Sequence, residues 1–261
     1  MEFFKYSGSG NDFVFINNRN NDQHITPTRV KDFCSRREGV GADGVVLFGS
    51  SDKADFSLRI FNSDGSEAEM CGNATRCAVH FAHNILKLKA DSQYTIETMN
   101  GLYQGEAMDD NLIRVKMTEL FDEGAINIDD LSGKNALYLN TGVPHAVIQV
   151  SSVEDVNVLA VGSAIRNDVR FPKGTNVDFF EVLDHQARSI KLRVFERGVE
   201  DETLCCGTGI MATAVACSRF FNWQGEITVY AKGGTLQAIV DQKDLYFQGR
   251  VHLVYQGHIS L

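Results

Sequence analysis

Glu202-Thr203-Leu204-Cys205-Cys206-Gly207-Thr208-Gly209 runs directly into Ile210-Met211-Ala212-Thr213-Ala214-Val215-Ala216. A short polar approach reaches a cysteine, small residues follow, and an apolar run then continues as a buried helix. Gly207 and Gly209 lack a Cβ, so a ligand can come close to the backbone there. The N–H groups of the first helical turn have no partner within the helix and point at whatever lies above them. The stretch therefore places a thiol beside an anion-attracting helix N-terminus. The same form occurs a second time, at Met70-Cys71-Gly72-Asn73-Ala74-Thr75-Arg76-Cys77-Ala78.

Working outward, the surroundings of the two cysteines also repeat. A strand ending at Phe61 precedes Cys71 by ten positions, and one ending at Phe195 precedes Cys206 by eleven. Turns follow at Met99-Asn100-Gly101 and Lys232-Gly233-Gly234. On the letters, Gly10-Asn11-Asp12-Phe13-Val14-Phe15 also lies against Gly174-Thr175-Asn176-Val177-Asp178-Phe179-Phe180. These spacings predict an α+β fold of two pseudo-symmetric, β-rich lobes, each a curved sheet wrapped around a central helix. The lobes are expected at 1–118, with 250–261 returning to the first, and at 119–249. The acidic stretch Thr118 to Lys134 marks the boundary. A pseudo-twofold axis would bring the two cysteines face to face across an interlobe cleft, where ligand sites are common.

Periodicity predicts helices from Thr28 to Arg36, from about Ala74 to Leu86, over Val153 to Asn167 and from about Gly207 to Phe220. Strands are expected elsewhere, among them Leu245 to Gln248 and Val251 to Tyr255. The loop Ser7-Gly8-Ser9-Gly10-Asn11-Asp12 resembles a phosphate cradle but lacks the Lys-Ser/Thr ending of a P-loop and leads into a strand.

The chain has 261 residues, 43% hydrophobic and 23% charged, within the range of soluble globular proteins. A net charge of -9 argues against a general nucleic-acid or anionic-membrane binder. The N-terminus lacks the apolar run of a signal peptide, and no stretch approaches the roughly 18 apolar residues of a membrane helix. A cytoplasmic protein is expected. Its six cysteines, at 34, 71, 77, 205, 206 and 217, show no Cys-x-x-Cys spacing and do not form a disulfide scaffold. Cys34, Cys77, Cys205 and Cys217 read as small buried hydrophobes.

Two thiols on opposite sides of one carbon supply a base on one face and an acid on the other. That suits stereochemical inversion: a thiolate removes a proton, and a thiol returns one from behind. The carbanion needs a neighbouring carboxylate, held by N–H groups that stabilise the enediolate-like charge. No lysine sits in a pyridoxal setting and no metal cluster is visible, so no cofactor and no metal is expected. The residues predict a racemase or epimerase acting α to a carboxylate.

Further motifs carry a resemblance. They are Ser9-Gly10-Asn11-Asp12-Phe13, Gly39-Val40-Gly41-Ala42-Asp43-Gly44, Phe61-Asn62-Ser63-Asp64-Gly65-Ser66, Asn140-Thr141-Gly142-Val143-Pro144-His145, Gly174-Thr175-Asn176-Val177-Asp178-Phe179 and Phe195-Glu196-Arg197-Gly198. Together with the two cysteine elements, in this order, they resemble the diaminopimelate epimerases along nearly the whole chain. The resemblance implies interconversion of LL- and meso-diaminopimelate, with Cys71 and Cys206 as the acid/base pair. It implies that the backbone of Gly72, Asn73, Gly207 and Thr208 holds the reacting carboxylate. Asn11, Asn62, Asn176, Glu196 and Arg197 would bind the rest of the substrate, and His145 and Glu196 would orient thiol and ammonium. A homodimer is implied as well.

The chain departs from the family pattern at Val143, where asparagine is frequent, and at Ala74-Thr75, where Gly-Ala is usual. The approach Val199-Glu200-Asp201 is one residue longer than the commonest form, and Cys205 stands where alanine or serine is common. Alternatives are a related cofactor-independent racemase, such as one acting on proline or hydroxyproline, or a non-catalytic binding protein. A proline substrate would have no use for the Asn and Arg set at the distal end. Phenazine-pathway isomerases share the fold but lack the paired cysteines.

Overall fold

The computed structural model describes residues 1–21, 23–109, 111–117, 135–241 and 244–259. The expected boundary at Thr118 to Lys134 lies outside the described residues. The chain forms two compact units, Met1–Val115 with Gly249–Leu261, and Lys116–Gln248.

In the first unit, β1 (Glu2–Gly8) and β2 (Asn11–Asn17) form a hairpin, followed by α1 (Pro27–Cys34), β3 (Gly44–Gly49), β4 (Phe56–Asn62) and the short β5 (Glu67–Ala68). Next come α2 (Gly72–His80), β6 (Gln93–Thr98), β7 (Gly101–Ala107) and β8 (Leu112–Lys116). The hairpin turn is Ser9-Gly10, both with positive φ (57° and 80°), the geometry that two-residue hairpins favour. The sheet order is β1-β2-β3-β4-β6-β7-β8, and the chain's last strand pairs with both β8 and β1, closing the sheet into a barrel.

The strand alternation separates two layers. Phe13, Phe15, Val46 and Phe48 point inward to α2, where they meet Ala74, Cys77, Ala78 and Phe81. Val14, Ile16, Val45 and Leu47 point outward to Val30 and Phe33 of α1. The α2 region is helical from Gly72 to His80 and then widens into a π-turn at Phe81–Ile85, which replaces the expected continuation to Leu86. The Phe81 ring at that turn packs on Phe4, Tyr6, Phe15 and Phe48.

The second unit has the same order: β9 (Ala136–Asn140), β10 (Pro144–Gln149), α3 (Val158–Arg166), β11 (Asn176–Asp184), β12 (Ser189–Glu196), β13 (Asp201–Thr203), α4 (Gly207–Phe221), β14 (Gly225–Ala231), β15 (Gly234–Asp241) and β16 (Asp244–His258). Strand directions match too: β2–β3 and β10–β11 are parallel, β3–β4 and β11–β12 antiparallel, and β4–β6 and β12–β14 parallel. α4 is buried from Gly209 to Cys217 and packs on β9, β10, β11 and β15. α3 covers the opposite face of its sheet, with Val158 and Ile165 on Ala146, Val177 and Phe179.

Three further expectations change. The repeat holds for Phe61 and Phe195, which pair with Val45 and Val177 at equivalent places. The match of Gly10–Phe15 with Gly174–Phe180 does not hold, because strand order sets β2 against β10 and β3 against β11. Those letters coincide because both places need turn chemistry beside a strand. The helix predicted from Val153 begins only at Val158. Asn157 accepts the Ala160 N–H as its cap, and Arg193 takes the carbonyls of Val153 and Val156 that an earlier helix would need. Finally, the two expected terminal strands are one, β16.

Candidate active site

Among the described residues four α-helices start, and their starts differ in kind. α1 is capped by Thr26, whose hydroxyl accepts from the Arg29 N–H, and α3 by Asn157. α2 and α4 begin at Cys71 and Cys206, both extended (φ -143°, ψ 114° and φ -113°, ψ 110°), and neither is capped by a side-chain hydrogen bond. A side-chain cap closes a helix start from within, whereas a start without one has first-turn N–H groups that can face a ligand. The two uncapped starts are those that carry the thiols. All six cysteines are thiols.

In the first unit, Cys71 is half-buried at the mouth of α2, and its carbonyl accepts from both the N–H and the hydroxyl of Thr75. Asn73 is buried, and its Oδ1 accepts from Arg76 at 2.7 Å. Arg76 is wholly buried and also donates to Ser9 Oγ at 2.9 Å. One guanidinium thus joins the first turn of α2 to the β1–β2 turn next to Asn11. Asn11 Oδ1 is buried with no hydrogen-bond partner among the described residues. A buried amide oxygen left open is costly unless something fills it, and an ammonium group would. Asn62 closes β4, opposite Gly44, with Nδ2 donating to Ser66 Oγ.

The second unit holds a denser arrangement. Cys206 is buried, and its Sγ lies 3.3 Å from Thr208 Oγ1. The hydroxyl lies 3.0 Å from His145 Nε2, and His145 Nδ1 lies 2.6 Å from Asp178 Oδ2. Thr141 Oγ1 donates to the Thr208 carbonyl at 2.8 Å. Burial pushes the Cys206 thiol well above its ordinary value, and the negative charges of Glu196 and Asp178 push the same way. Burial also raises the Glu196 carboxyl. Asn176 is a staple: its Nδ2 donates to the Pro144 carbonyl and its Oδ1 accepts the Arg197 N–H, both at 2.9 Å. Arg197 Nη1 donates to the Lys173 carbonyl.

The structure therefore gathers Cys71, Gly72 and Asn73 at one helix start and Cys206, Gly207, Thr208 and His145 at the other, with Glu196 close enough to influence Cys206. Sequence reading missed Asp178, the Thr208 hydroxyl and the buried role of Arg76. The signal for Asp178 was present. Val177 and Phe179 face α3, so alternation turns Asp178 with Asn176 toward α4, and a carboxylate inside an apolar strand needs a partner.

Among the described residues, no group of three or more His, Cys, Asp or Glu could hold a metal ion, and no helix is long and apolar enough to cross a membrane. Solved structures of the same fold include a PhzF-family phenazine biosynthesis protein of Bacillus anthracis (TM-score 0.75, 15% identity, covering 100% of this chain and 99% of that one). Another is a probable proline racemase of Agrobacterium radiobacter (TM-score 0.68, 14% identity, 100% and 93%). Their identities are too low to carry more than the fold. Closer in sequence are the diaminopimelate epimerases of Chlorobaculum tepidum, 39% identical over 98% of this chain and 100% of that protein, and of Aquifex aeolicus, 38% identical over 100% and 98%. The diaminopimelate epimerase family model matches twice, at residues 3–120 and 137–254, once on each half of the repeat. With both halves matched and relatives aligned end to end, the chain belongs to the diaminopimelate epimerase family.

Proposed function

We propose that this enzyme interconverts LL- and meso-diaminopimelate by proton transfer at the α-carbon, with Cys71 and Cys206 as its two acid/base groups and no cofactor. The carrying observation is that the two central helices, and not the two covering ones, begin at an uncapped cysteine. In one direction the Cys71 thiolate takes the α-proton. The C–H electron pair moves into the carboxylate, giving an enediolate-like species, and the Cys206 thiol delivers its proton to the opposite face. The reverse reaction exchanges the roles. The first-turn N–H groups around Gly72, Asn73, Gly207 and Thr208 stabilise the carboxylate as its charge grows, and each such donor is worth about 100- to 1000-fold in rate.

The distal amino-acid group is assigned to Asn11, Asn62, Asn176 and Arg197, and Glu196 to the substrate ammonium beside Cys206. An amide oxygen suits an ammonium, and a guanidinium suits a carboxylate in a bidentate pair. Asn11 supports this through its open Oδ1, while Asn176 acts chiefly by holding the Arg197 backbone. His145 and Glu196 tune the thiol at Cys206. The substrate is a small molecule, and the reaction supplies lysine and peptidoglycan precursor synthesis. We place the enzyme in the cytoplasm as a homodimer.

The test is α-proton exchange in deuterium oxide. The enzyme should incorporate solvent deuterium into LL-diaminopimelate and leave proline unlabelled. Cys71→Ala and Cys206→Ala should each lose epimerisation by about 1000-fold or more. Full activity in either variant would end the two-base scheme. Two-base chemistry also requires both sulfurs to reach one carbon, so mild oxidation should join Cys71 to Cys206 and inactivate the enzyme reversibly. An intact Cys71 peptide in the oxidised, inactive enzyme would contradict it.

A further inference from the structure

A thiol that serves as an acid in one direction and a base in the other must reach both S–H and S⁻ in every cycle. At Cys206 the surroundings oppose S⁻. The sulfur is buried and Asp178 on β11 and Glu196 on β12 push against its charge, while the Thr208 hydroxyl and the Gly209 N–H favour it; His145 on β10 lies beyond that hydroxyl. A proton route to the sulfur would resolve the conflict, and a continuous one is built into the second unit.

The route runs Cys206 Sγ, Thr208 Oγ1, His145 Nε2, His145 Nδ1, Asp178 Oδ2, with steps of 3.3, 3.0 and 2.6 Å between residues. Its inner end is sealed, since the His145 and Asp178 side chains are 0% exposed. The chemistry of the groups fixes where the hydrogens lie. A carboxylate only accepts, so His145 carries its proton on Nδ1 and donates it to Asp178. The neutral ring then has Nε2 as an acceptor, and the Thr208 hydroxyl donates to it. That hydroxyl has only lone pairs left for Cys206, so it accepts the S–H.

A second arrangement is reached by shifting two protons along the line. The Cys206 proton passes to Thr208 Oγ1, and the hydroxyl proton passes from Oγ1 to His145 Nε2. The result is a thiolate accepting from a hydroxyl, the hydroxyl accepting from an imidazolium, and the imidazolium donating to an unchanged carboxylate. No electrons are transferred, no heavy-atom bond changes, and the total charge is constant. Asp178 makes the second arrangement tenable because its charge opposes that of the imidazolium, as in the triads that activate a buried hydroxyl.

Two further observations fit a dedicated carboxylate. Asp178 Oδ1 is buried without a hydrogen-bond partner among the described residues. A Cβ on Gly209 would stand 2.4 Å from that oxygen, so the first turn of α4 is kept bare to admit it. Among the described residues the first unit has no equivalent line. At the matching register positions Phe13 replaces His145, Val46 replaces Asp178, and Asn73 replaces Thr208.

We propose that Asp178 is a positioning residue that acts through His145 and the Thr208 hydroxyl, so that the three form a proton relay serving Cys206. This rests on Cys206 being one of the two acid/base thiols. The relay and a merely electrostatic role for Asp178 predict opposite signs. A nearby negative charge that only repels the thiolate, once removed, would make Cys206 ionise at lower pH. Loss of a relay strands the proton and moves ionisation to higher pH.

The experiment follows iodoacetamide alkylation of Cys206 against pH by peptide mass mapping, alongside the pH profile of kcat/KM. Asp178→Asn and Thr208→Val should each move alkylation upward by about one pH unit, a tenfold slower reaction on the rising limb. Each should lower kcat/KM by about tenfold or more. Thr208→Ser, which keeps the hydroxyl, should stay within about threefold of the parent. The double variant Asp178→Asn with Thr208→Val should be no worse than Thr208→Val alone, because both cut one line. A downward shift in Asp178→Asn, equal activity of Thr208→Val and Thr208→Ser, or multiplying losses in the double variant would overturn the relay. If Asp178→Asn does not fold, the two Thr208 variants decide alone. Absence of epimerisation by the parent enzyme would strike the proposed function, whereas the alkylation curves read the relay without any turnover.

Discussion

The starts of α2 and α4 are the same backbone carrying different charge. Each begins at an extended, uncapped cysteine at the end of the same strand order. Five positions along, the likeness fails: α2 buries Arg76 where α4 has Met211. In the surrounding strands the contrast reverses, because the second unit buries His145 and Asp178 where the first has Phe13 and Val46. A duplicated scaffold has thus kept the element that places a thiol and changed what surrounds it. The two helix starts therefore sit in unlike settings: a buried guanidinium bonds the first turn of α2, and carboxylates act on Cys206 at α4.

That contrast can be broken at several points. The largest effect is expected from Arg76→Met, which gives α2 the residue of α4. It leaves Asn73 Oδ1 and Ser9 Oγ without their donor, at about 2–5 kcal/mol of unfolding free energy in urea titration. A loss under about 1 kcal/mol would show that Arg76 is not the clamp between helix start and turn. Next is Gly209→Ala, which gives α4 the residue that α2 has at Ala74. Its methyl meets Asp178 Oδ1, and about 1–3 kcal/mol should be lost in thermal unfolding. The reciprocal Ala74→Gly should cost no more than about 1 kcal/mol, the ordinary helix propensity difference. Equal costs for the two would remove the claim that Asp178 shapes the α4 start.

A smaller effect separates the strand ends, where Glu196-Arg197 of the second unit stands against Asn62-Ser63 of the first. Arg197→Lys keeps the charge but loses the fork, and KM for diaminopimelate should rise by about tenfold with kcat less affected. Unchanged kinetics would take Arg197 out of the distal assignment. The last effect is invisible at neutral pH. Each central helix buries a thiol inside its own unit, Cys77 and Cys217, and burial pushes both from an ordinary 9.0 to about 12. A raised acid favours folding only while it stays protonated. Its contribution is complete below about 9 and is lost as pH rises toward about 12. Cys217→Ala should therefore flatten the decline of melting temperature across that window, and a decline as steep as the parent's would place its cause elsewhere.

The repeat was legible because it is written in local terms. A cysteine followed by glycine and an apolar run means a helix start wherever it occurs, and strand spacing before it fixed Phe61 and Phe195 as counterparts. The same local character misled at Gly10–Phe15, since turn residues near a strand look alike in any position. It misled again at Val153. The apolar pattern there runs on without interruption, but Arg193, forty residues away, claims the carbonyls that would have extended the helix. The continuity of β16 was hidden in the same way: Gln248-Gly249-Arg250 reads as a break, yet partners on both sides keep it a strand.

The sequence by itself determined the family, the duplicated order of elements and the two Cys-Gly helix starts, because each depends on residue type and spacing along the chain. Only the tertiary structure decided how the polar groups around those helix starts join, and that Asp178, the Thr208 hydroxyl and Arg76 are among them. Thr208, His145 and Asp178 come from three elements, and Arg76 and Ser9 from a helix and a hairpin turn. Hydrogen bonds between such groups are set by distance and burial in space, which spacing along the sequence does not encode.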